Sequence, residues 1–384
     1  MKKIRTICCV ITARPSYSRV KTVLQAIKDN PHLKLQIILC GSAVLNKYGF
    51  MENILKKDGL NPDILISNSI EGPQLINTVK TVSLGMIELS HALENLRPDI
   101  VITIADRFET IATAIASAFL QIPLVHIQGG EVTGSIDEKV RHAITKLSDF
   151  HFVSNADSFK RVVKMGENSS HVFNTGCPSI DIARQAKLLG PLKEKVMNIG
   201  VGFRIDITKP YIIVMQHSVT YEHLDSSSQA KETLDAVINL DIPTFWFWPN
   251  IDVGNDEISK VLRISREKNN SEKICFVKNL PPEEFLRLLI GSKCLIGNSS
   301  VGIRESSYLG VPVVNIGSRQ RKRVRGINVK DVEFSSKQIL RAAKAQIKIG
   351  KYKSSKIYGN GQSGKKIADL LTKLNLTSEK TISY

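Results

Sequence analysis

The sequence predicts an α/β protein built from two doubly wound domains. Short apolar runs alternate with segments of helical period along the first half of the chain, and the same alternation restarts in the second half. The 384 residues also exceed the roughly 250–300 at which a single hydrophobic core stops growing. Because the apolar runs are continuous, they fit parallel strands that helices cover on both faces.

The first half of the chain alternates strand-like runs with helical segments. "TICCVITA" predicts the first strand, and Ser18–Asp29 predicts a helix with apolar positions at Val20, Val23, Leu24 and Ile27. Further strands are predicted at "LQIILCG", "DIVITIA" and "IPLVHIQ", with an alanine-rich helix at "FETIATAIASAFLQ". This order is typical of a parallel sheet.

The second half repeats the pattern after an interruption. The polar, glycine-containing stretch between Arg184 and Pro210 has no strong apolar period, and we predict the domain boundary there. Strands are predicted at "YIIVMQH", "PTFWFWPN", "KICFVKN" and "CLIG", with a helix at "PEEFLRLLIGS" before the last of them. The predicted domains are residues 1–185 and 205–360, and an amphipathic helix, "KKIADLLTKL", belongs to residues 361–384.

Composition indicates a globular cytoplasmic protein. Hydrophobic residues make up 42% and charged residues 23%, and no apolar run reaches the roughly 18 residues of a membrane-spanning helix. The start "MKKIRTICCVITAR" is interpreted as a strand, because Arg14 ends it without the small-residue cleavage site of a signal peptide. None of the six cysteines forms a CxxC pair, so we expect buried thiols and neither a metal site nor a disulfide framework.

The formal net charge of +17 leaves two explanations open: a solvated basic surface, or a cleft for an anionic small substrate such as a nucleotide diphosphate. Nucleic-acid binding is not expected, because aromatic residues are not interleaved with the basic ones as a base-stacking platform requires.

The segment "CLIGNSSVGIRE" raises the question of a phosphate site. Its apolar run stops at Gly297, and a helix is predicted to begin near Ser299 or Ser300. The free N–H groups of a helix N-terminus can bind phosphate, Gly302 would let a ligand approach the backbone, and Glu305 could bind ribose hydroxyls. From this segment alone, ordinary helix capping explains the pattern equally well.

Several segments together resemble one enzyme family. They are "TARPSYSRV", "ADRFET", "HIQGGEVTGSIDEKVRHAITKLSDFHF", "NTGCPSID", "MQHSVT", "WPNIDVG", "IGNSSVGIRE", "NIGSRQRKRVRG" and "KIYGNG". In these the chain is similar to the hydrolysing UDP-N-acetylglucosamine 2-epimerases of sialic-acid-type biosynthesis. The resemblance implies a GT-B fold, in which two facing Rossmann-like domains enclose the active site in their cleft and the C-terminal helix returns to the first domain.

The resemblance also implies the reaction. A base removes the proton on C2 of the sugar while UDP leaves from C1, and water then adds to the glycal, so UDP-N-acetylglucosamine would give UDP and N-acetylmannosamine. No cofactor is expected, which fits the lack of a GxGxxG after the first strand. The ligands implied are a UDP-sugar and UDP, and the implied assembly is a homodimer or homotetramer. A GT-B glycosyltransferase is the alternative of a different class, but it would not need a carboxylate set in the first domain.

Three carboxylates are the catalytic candidates. Asp106 follows a predicted strand and matches the family's catalytic aspartate, although it could instead cap the next helix. Glu131 belongs to the Gly-Gly-Glu turn, and Asp137 matches another acidic residue of the family. Asp137 and Arg141 could alternatively form an ordinary i,i+4 salt bridge at the surface.

The resemblance places substrate contacts at further positions: Arg14, Ser18, Arg107, His126, Gln128 and Arg141 in the first domain, and His217, Asn298, Ser299, Ser300, Gly302, Glu305 and Arg319 in the second. We expect His126 to lie on the same strand face as Gln128, two residues on, and to be a further acid–base candidate.

The chain departs from the family where Gln128 replaces glutamate and where Ala43 and Ile104 stand at positions that are often histidine. These departures surround the sugar end of the expected site. They leave a UDP-linked 2,4-diacetamido-trideoxyhexose, as in legionaminic-acid-type pathways, as the alternative substrate.

Overall fold

The structure is a computed structural model that describes residues 4–46, 51–72, 74–133, 136–192, 199–249, 254–267 and 273–383. The chain divides into two compact units. The first comprises Met1–Glu131, Ile136–Asp181 and Gly359–Tyr384, and the second comprises Val132–Ser135 and Ile182–Tyr358. The C-terminal segment therefore belongs to the first unit.

The first unit is built on a seven-stranded sheet in which every neighbouring pair is parallel. Its strands are β1 Arg5–Ile11, β2 Leu33–Leu39, β3 Ile64–Leu65, β4 Ile100–Ile104, β5 Leu124–Ile127, β6 Phe150–Val153 and β7 Val172–Asn174. Its helices are α1 Arg14–Ser18, α2 Lys21–Lys28, α3 Met51–Lys57, α4 Leu75–Leu96, α5 Thr110–Phe119, α6 Asp137–Leu147 and α7 Ala156–Lys164, and α8 Ser179–Leu189 begins in this unit. The sheet order is β3-β2-β1-β4-β5-β6-β7.

The second unit repeats this plan with one antiparallel edge strand. Its strands are β8 Gly200–Gly202, β9 Ile212–Met215, β10 Thr244–Phe247, β11 Ile274–Val277, β12 Leu295–Gly297, β13 Val313–Ile316 and β14 Val329–Val332. Its helices are α9 Ser226–Leu240, α10 Asn255–Glu267, α11 Pro282–Gly291, α12 Ser300–Ile303, α13 Glu305–Leu309 and α14 Ser336–Ile349, and α15 Ser363–Leu371 follows in the first unit. The order is β14-β13-β12-β9-β10-β11-β8, with only the β8–β11 pair antiparallel among the described strands.

Both faces of the first sheet are covered, as doubly wound topology requires. Along β1, Cys9 packs with residues of α2 and α15, whereas Cys8 packs with residues of α4 and α5 on the other face. All six cysteines are buried and free, as the sequence indicates. The predicted α/β class with parallel sheets is confirmed.

The helix predicted at Ser18–Asp29 is present as α2, and the short helix α1 precedes it with a break at Arg19–Val20. The structure also contains elements that the sequence pattern does not predict. One is β8, in the stretch between Arg184 and Pro210, whose exposed Gly-Val-Gly residues have no apolar period and are held by backbone pairing to β11. Another is the 22-residue helix α4. Among the described helices, none is long and apolar enough to cross a membrane.

Candidate active site

Each sheet has a topological switch point, where the chain leaves neighbouring strands in opposite directions. In the first sheet this point lies between β1 and β4, and in the second between β9 and β12. Open α/β sheets bind ligands at the carboxyl ends of the strands beside such a point. The segments that follow these four strands carry most of the predicted site residues.

Asp106 follows β4 and is held by two arginines. Its Oδ2 accepts a hydrogen bond from Arg141 Nη2, and Arg19 Nη1 lies 3.6 Å from its Oδ1. Asp106 is only 8% exposed. Helix α5 has Glu109 at its N-cap position without a side-chain cap bond, so the alternative role of Asp106 as its cap is not observed.

Arg141 lies in the protein interior and contacts Asp106 and Glu131. It is fully buried, and its Nη1 donates to the backbone oxygen of Glu131 over 2.8 Å. Burial by itself lowers the pKa of Arg141, but the charges of Asp106, Glu131 and Asp137 outweigh burial and raise that pKa. Of the three predicted carboxylates, that of Asp106 binds the Arg141 guanidinium directly; Glu131 binds it through its backbone oxygen, and Asp137 lies one turn earlier on α6.

This arrangement corrects two interpretations of Arg141. It is no ordinary surface partner of Asp137 one helical turn away, because its guanidinium points inward and reaches a residue 35 positions earlier. It is also not exposed for a substrate contact, since its exposed fraction is 0%. In this structure Arg141 holds the carboxylate of Asp106 and the backbone of Glu131 in place.

His126 is also not a substrate contact in this structure. The side chain is fully buried, its Nε2 lies 2.9 Å from the backbone oxygen of Ala105, and its Nδ1 lies 3.2 Å from Thr145 Oγ1. Burial lowers the pKa of His126 to about 3. The imidazole therefore stays neutral and is committed to protein partners.

Gln128 does not share the strand face of His126, contrary to the prediction. Strand β5 ends at Ile127, and Gln128 has φ 68°, so the two-residue alternation stops before it. Its amide Nε2 donates to Cys177 Sγ over 3.0 Å, and the residue is 2% exposed.

The remaining first-unit candidates lie in the segments after β1 and β4. Arg107 binds Glu109 with two guanidinium nitrogens, each 3.2 Å from a carboxylate oxygen. Arg14 opens α1 and is half-buried, and burial lowers the pKa of Arg14 to about 10. Ser18 Oγ donates to the backbone oxygen of Pro15, which lies in the first turn of α1.

In the second unit, His217 and Asn298 lie at the switch point. His217 follows β9 and is 4% exposed, and Asn298 follows β12 and is fully buried. The Asn298 side chain is bonded to the backbone of His217, so its role in this structure is to hold that backbone.

The predicted helix start after β12 is present but short. Ser299 is the N-cap of α12 without a side-chain cap bond, and Ser300 Oγ accepts from Arg304 Nη2 over 2.8 Å. The helix breaks at Arg304, and α13 starts at Glu305. Glu305 is 8% exposed, and its Oε2 has no hydrogen-bond partner among the described residues.

Gly302 has a packing role that differs from the predicted one. A Cβ at this position would lie 3.0 Å from Val313 Cγ1 and 3.2 Å from Leu295 Cδ2, on the sheet side of α12. The glycine therefore lets the helix pack closely on β12 and β13 and does not open the backbone to a ligand. Arg319 Nη1 donates to the backbone oxygen of Asn298 over 3.3 Å, which places it beside the same segment.

Sequence reasoning missed two arginines of these clusters. Arg19 pairs with Asp106, and Arg304, 1% exposed, pairs with Ser300. Both stand inside quoted motifs, "TARPSYSRV" and "IGNSSVGIRE", but only the fold shows which oxygen each one faces.

Comparison with known proteins assigns the family. The family model described as UDP-N-acetylglucosamine 2-epimerase matches residues 25–372. The chain belongs to this family. The resemblance drawn from the sequence is thereby confirmed, and the protein is a UDP-sugar 2-epimerase.

Relatives of this epimerase extend over nearly its whole length. A UDP-N,N'-diacetylbacillosamine 2-epimerase (hydrolyzing) of Legionella pneumophila is 32% identical over 376 residues, 98% of this chain and 98% of that protein. A UDP-N-acetylglucosamine 2-epimerase of Neisseria meningitidis is 30% identical over 94% of this chain and 92% of that protein. The Methanocaldococcus jannaschii UDP-GlcNAc 2-epimerase, solved with UDP-GlcNAc and UDP, shares the fold with a TM-score of 0.79, 16% identity, and coverage of 96% of this chain and 99% of that chain.

Proposed function

We propose that this epimerase is hydrolysing: it eliminates UDP from a UDP-linked 2-acetamido sugar and hydrates the resulting glycal to the free 2-epimer. The observation that carries the proposal is buried Arg141, which binds the carboxylate of Asp106 and the backbone oxygen of Glu131 and has Asp137 one turn earlier on its helix. Elimination and hydration both require proton transfer at the sugar, and carboxylates of different surroundings can divide the acid and base roles.

Asp106 is the residue we assign as the base. Its carboxylate follows β4 at the switch point and is held in place by the guanidinium groups of Arg19 and Arg141. Charge-assisted contacts of this kind fix a carboxylate in a defined orientation, which proton abstraction requires. Glu131 and Asp137 are the residues we assign to return a proton during hydration. Gln128 has no such role, because the amide group of glutamine does not take up or release a proton near neutral pH.

The second unit is assigned to the nucleotide. Ser299, Ser300 and Arg319 supply hydroxyl, backbone N–H and guanidinium donors after β12 and β13, and such donors stabilise the charge that a diphosphate leaving group gains. Glu305 offers a buried carboxylate oxygen without a described partner, which suits a sugar hydroxyl of the nucleotide.

For the sugar we favour a 2,4-diacetamido-trideoxyhexose. The two sequence relatives carry names with different sugars at 32% and 30% identity, so identity does not choose between them. Ala43 and Ile104 stand where the family often has histidine, and both are buried in the same apolar cluster, so they do not themselves contact the sugar but remove polar groups near the sugar end of the expected site. This loss of polar groups favours the sugar with fewer hydroxyl groups. UDP-N-acetylglucosamine is the second candidate, supported by the family description.

We further propose a cytoplasmic place in nonulosonic (sialic-type) acid biosynthesis and a homodimeric or homotetrameric assembly. Both rest on the family resemblance of the sequence. Size-exclusion chromatography with light scattering tests the assembly.

The test of function is incubation of the purified protein with each UDP-sugar in separate reactions. We expect UDP by phosphorus NMR and the free 2-epimeric sugar by proton NMR, with at least a roughly ten-fold higher kcat/KM for the diacetamido sugar. A preference for UDP-N-acetylglucosamine would reverse the choice of sugar. UDP release that requires an added acceptor would indicate a glycosyltransferase, and release from neither sugar would refute the proposed hydrolysing reaction.

A further inference from the structure

A buried histidine on β5 contacts the backbone next to Asp106. Strand β5 pairs with β4 in register, with His126 opposite Thr103. His126 Nε2 lies 2.9 Å from the oxygen of Ala105, the residue directly before Asp106. The histidine therefore contacts the short segment that carries the proposed base, while its own side chain has no exposed surface.

The same histidine is connected to the other side of Asp106 through helix α6. Its Nδ1 lies 3.2 Å from Thr145 Oγ1, and Thr145 Oγ1 lies 3.0 Å from the backbone oxygen of Arg141. Arg141 in turn binds Asp106. These contacts form a closed ring of five residues, which we call the Asp106 support: Ala105, Asp106, Arg141, Thr145 and His126.

The backbone inside this ring has a conformation that needs support. Ala105 has φ 64°, a left-handed geometry that alanine rarely adopts. Such residues persist where surrounding contacts determine them, and they occur often at active sites. The hydrogen bond to the oxygen of Ala105 is one such contact, and it fixes the direction in which the chain presents Asp106.

The protonation state of His126 follows from its surroundings. The pKa of His126 is lowered to about 3, mainly by burial; the charges of His151 and Arg141 act in the same direction, whereas the bond to Ala105 and the charge of Asp106 oppose the shift. The imidazole of His126 is therefore neutral. Because the backbone oxygen of Ala105 can only accept a hydrogen bond, the imidazole proton is on Nε2. Nδ1 then carries no proton. The single hydroxyl hydrogen of Thr145 is donated to the backbone oxygen of Arg141, so Nδ1 and Thr145 Oγ1 are in close contact without a second hydrogen bond.

We propose that His126 is a positioning residue that, through Ala105 and the Thr145–Arg141 link, fixes the carboxylate of Asp106 for proton abstraction. It touches no substrate and transfers no proton. This inference rests on the proposed function, since it assigns a role within that reaction.

The test compares three variants. His126→Leu removes the donor to Ala105, whereas His126→Gln keeps an amide donor near the position of Nε2. His151→Gln is the matched control, because His151 lies opposite His126 on β6, is equally buried, and binds Glu167 instead of the Asp106 support. The melting temperature of every variant is measured first. The values of kcat and KM are then measured at a temperature well below the lowest melting temperature.

We expect His126→Leu to lower kcat by about 30- to 100-fold with KM within about 3-fold of wild type, because misplacement of a reacting group by about 1 Å can cost that much. His126→Gln should recover most of the lost kcat. His151→Gln should lower the melting temperature and leave kcat unchanged. The inference is overturned if His126→Leu retains kcat, if His126→Gln recovers nothing, or if His151→Gln loses kcat to the same degree.

A second measurement does not depend on activity. In protein labelled with carbon-13 at the aspartate carboxyl groups, the Asp106 signal, assigned with Asp106→Asn, is titrated in wild type, His126→Leu and His151→Gln. A changed midpoint in His126→Leu alone supports the inference, and equal midpoints in all three overturn it. If wild type releases UDP from neither sugar, the proposed reaction fails, and this titration still decides the positioning role.

Discussion

Asn298 binds the backbone of His217 through both polar atoms of its side chain. Its Oδ1 accepts from His217 N and its Nδ2 donates to His217 O, each over 2.8 Å. The two residues follow β12 and β9, which are neighbours in the second sheet. The buried side chain of Asn298 therefore joins the carboxyl ends of these strands directly at the switch point.

Replacing Asn298 with leucine should lower the free energy of unfolding of the second unit by about 2–4 kcal/mol, because it leaves two buried backbone groups unpaired. Urea unfolding followed by tryptophan fluorescence measures this directly, since Trp246 and Trp248 both belong to that unit.

Asn239→Ala is the control for this measurement. Asn239 is exposed on α9 and donates to Asp235 O. Its replacement should change the free energy by no more than about 0.5 kcal/mol. Equal effects of the two substitutions would contradict the structural role given to Asn298.

Replacing Asp106 with asparagine should lower turnover by about 10²–10⁴-fold, the usual contribution of a general base. The side chain keeps its shape and one acceptor oxygen for Arg141, so UDP affinity should stay close to wild type, whereas the lost charge beside buried Arg141 should lower the melting temperature. Steady-state kinetics and calorimetric titration with UDP check both parts.

Asp99→Asn separates this effect from a general loss of charge. Asp99 directly precedes β4, at the end of the strand opposite to Asp106, and its Oδ2 accepts a hydrogen bond from Thr6 N over 2.8 Å. This variant should lose stability and keep kcat. Turnover of Asp106→Asn within ten-fold of wild type would remove Asp106 from the role of base.

Much of this arrangement could be predicted from the sequence, and the failures have physical causes. The position of Asp106 is predictable because the end of a buried apolar run marks the end of a strand. The shared face predicted for His126 and Gln128 is wrong, because the two-residue period predicts a face only while the strand continues and Gln128 leaves it with φ 68°. The ligand role predicted for Gly302 differs from its packing role, because tight packing on Val313 and access for a ligand both require a missing Cβ. The pairing of Arg19 with Asp106 depends on contacts between distant segments, which spacing along the chain does not encode.

Glu167 is the centre of a buried ionic cluster in the first unit. It accepts from His151 Nε2 at 3.0 Å and Lys146 Nζ at 2.7 Å, and Lys380 Nζ lies 2.6 Å away. Burial by itself raises the pKa of Glu167, but the hydrogen bonds from His151, Lys146 and Lys380 outweigh burial and lower the pKa from 4.5 to about 2. A carboxyl group with a depressed folded-state pKa stabilises the protein above its unfolded pKa and loses that contribution as the pH falls.

The stabilisation by Glu167 should therefore be complete above pH 4.5 and should disappear as the pH falls towards about 2. Replacing Glu167 with glutamine should cost on the order of 3 kcal/mol at neutral pH and should flatten the dependence of stability on pH in this window. Denaturant unfolding at a series of pH values measures this dependence. Glu379→Gln, an exposed change near Lys380, is the control. Parallel curves for Glu167→Gln and wild type would contradict the assigned origin of the pKa shift.

The hydrogen on C2 of the product reports the route of the reaction. In the proposed route, elimination removes the C2 proton of the UDP-sugar as UDP departs from C1, and hydration of the glycal then adds a solvent proton at C2 and a solvent hydroxyl at C1. In D₂O the released sugar should carry deuterium at C2, and in H₂¹⁸O it should carry the heavy oxygen at C1. Mass spectrometry and proton NMR measure both.

Direct displacement of UDP by water would also place solvent oxygen at C1 but would leave the original hydrogen at C2. Direct displacement cannot give the 2-epimeric sugar, because it leaves C2 untouched. A product that is unlabelled at C2 and keeps its original configuration would therefore show hydrolysis without epimerisation. That result would contradict the proton transfers assigned to Asp106, Glu131 and Asp137.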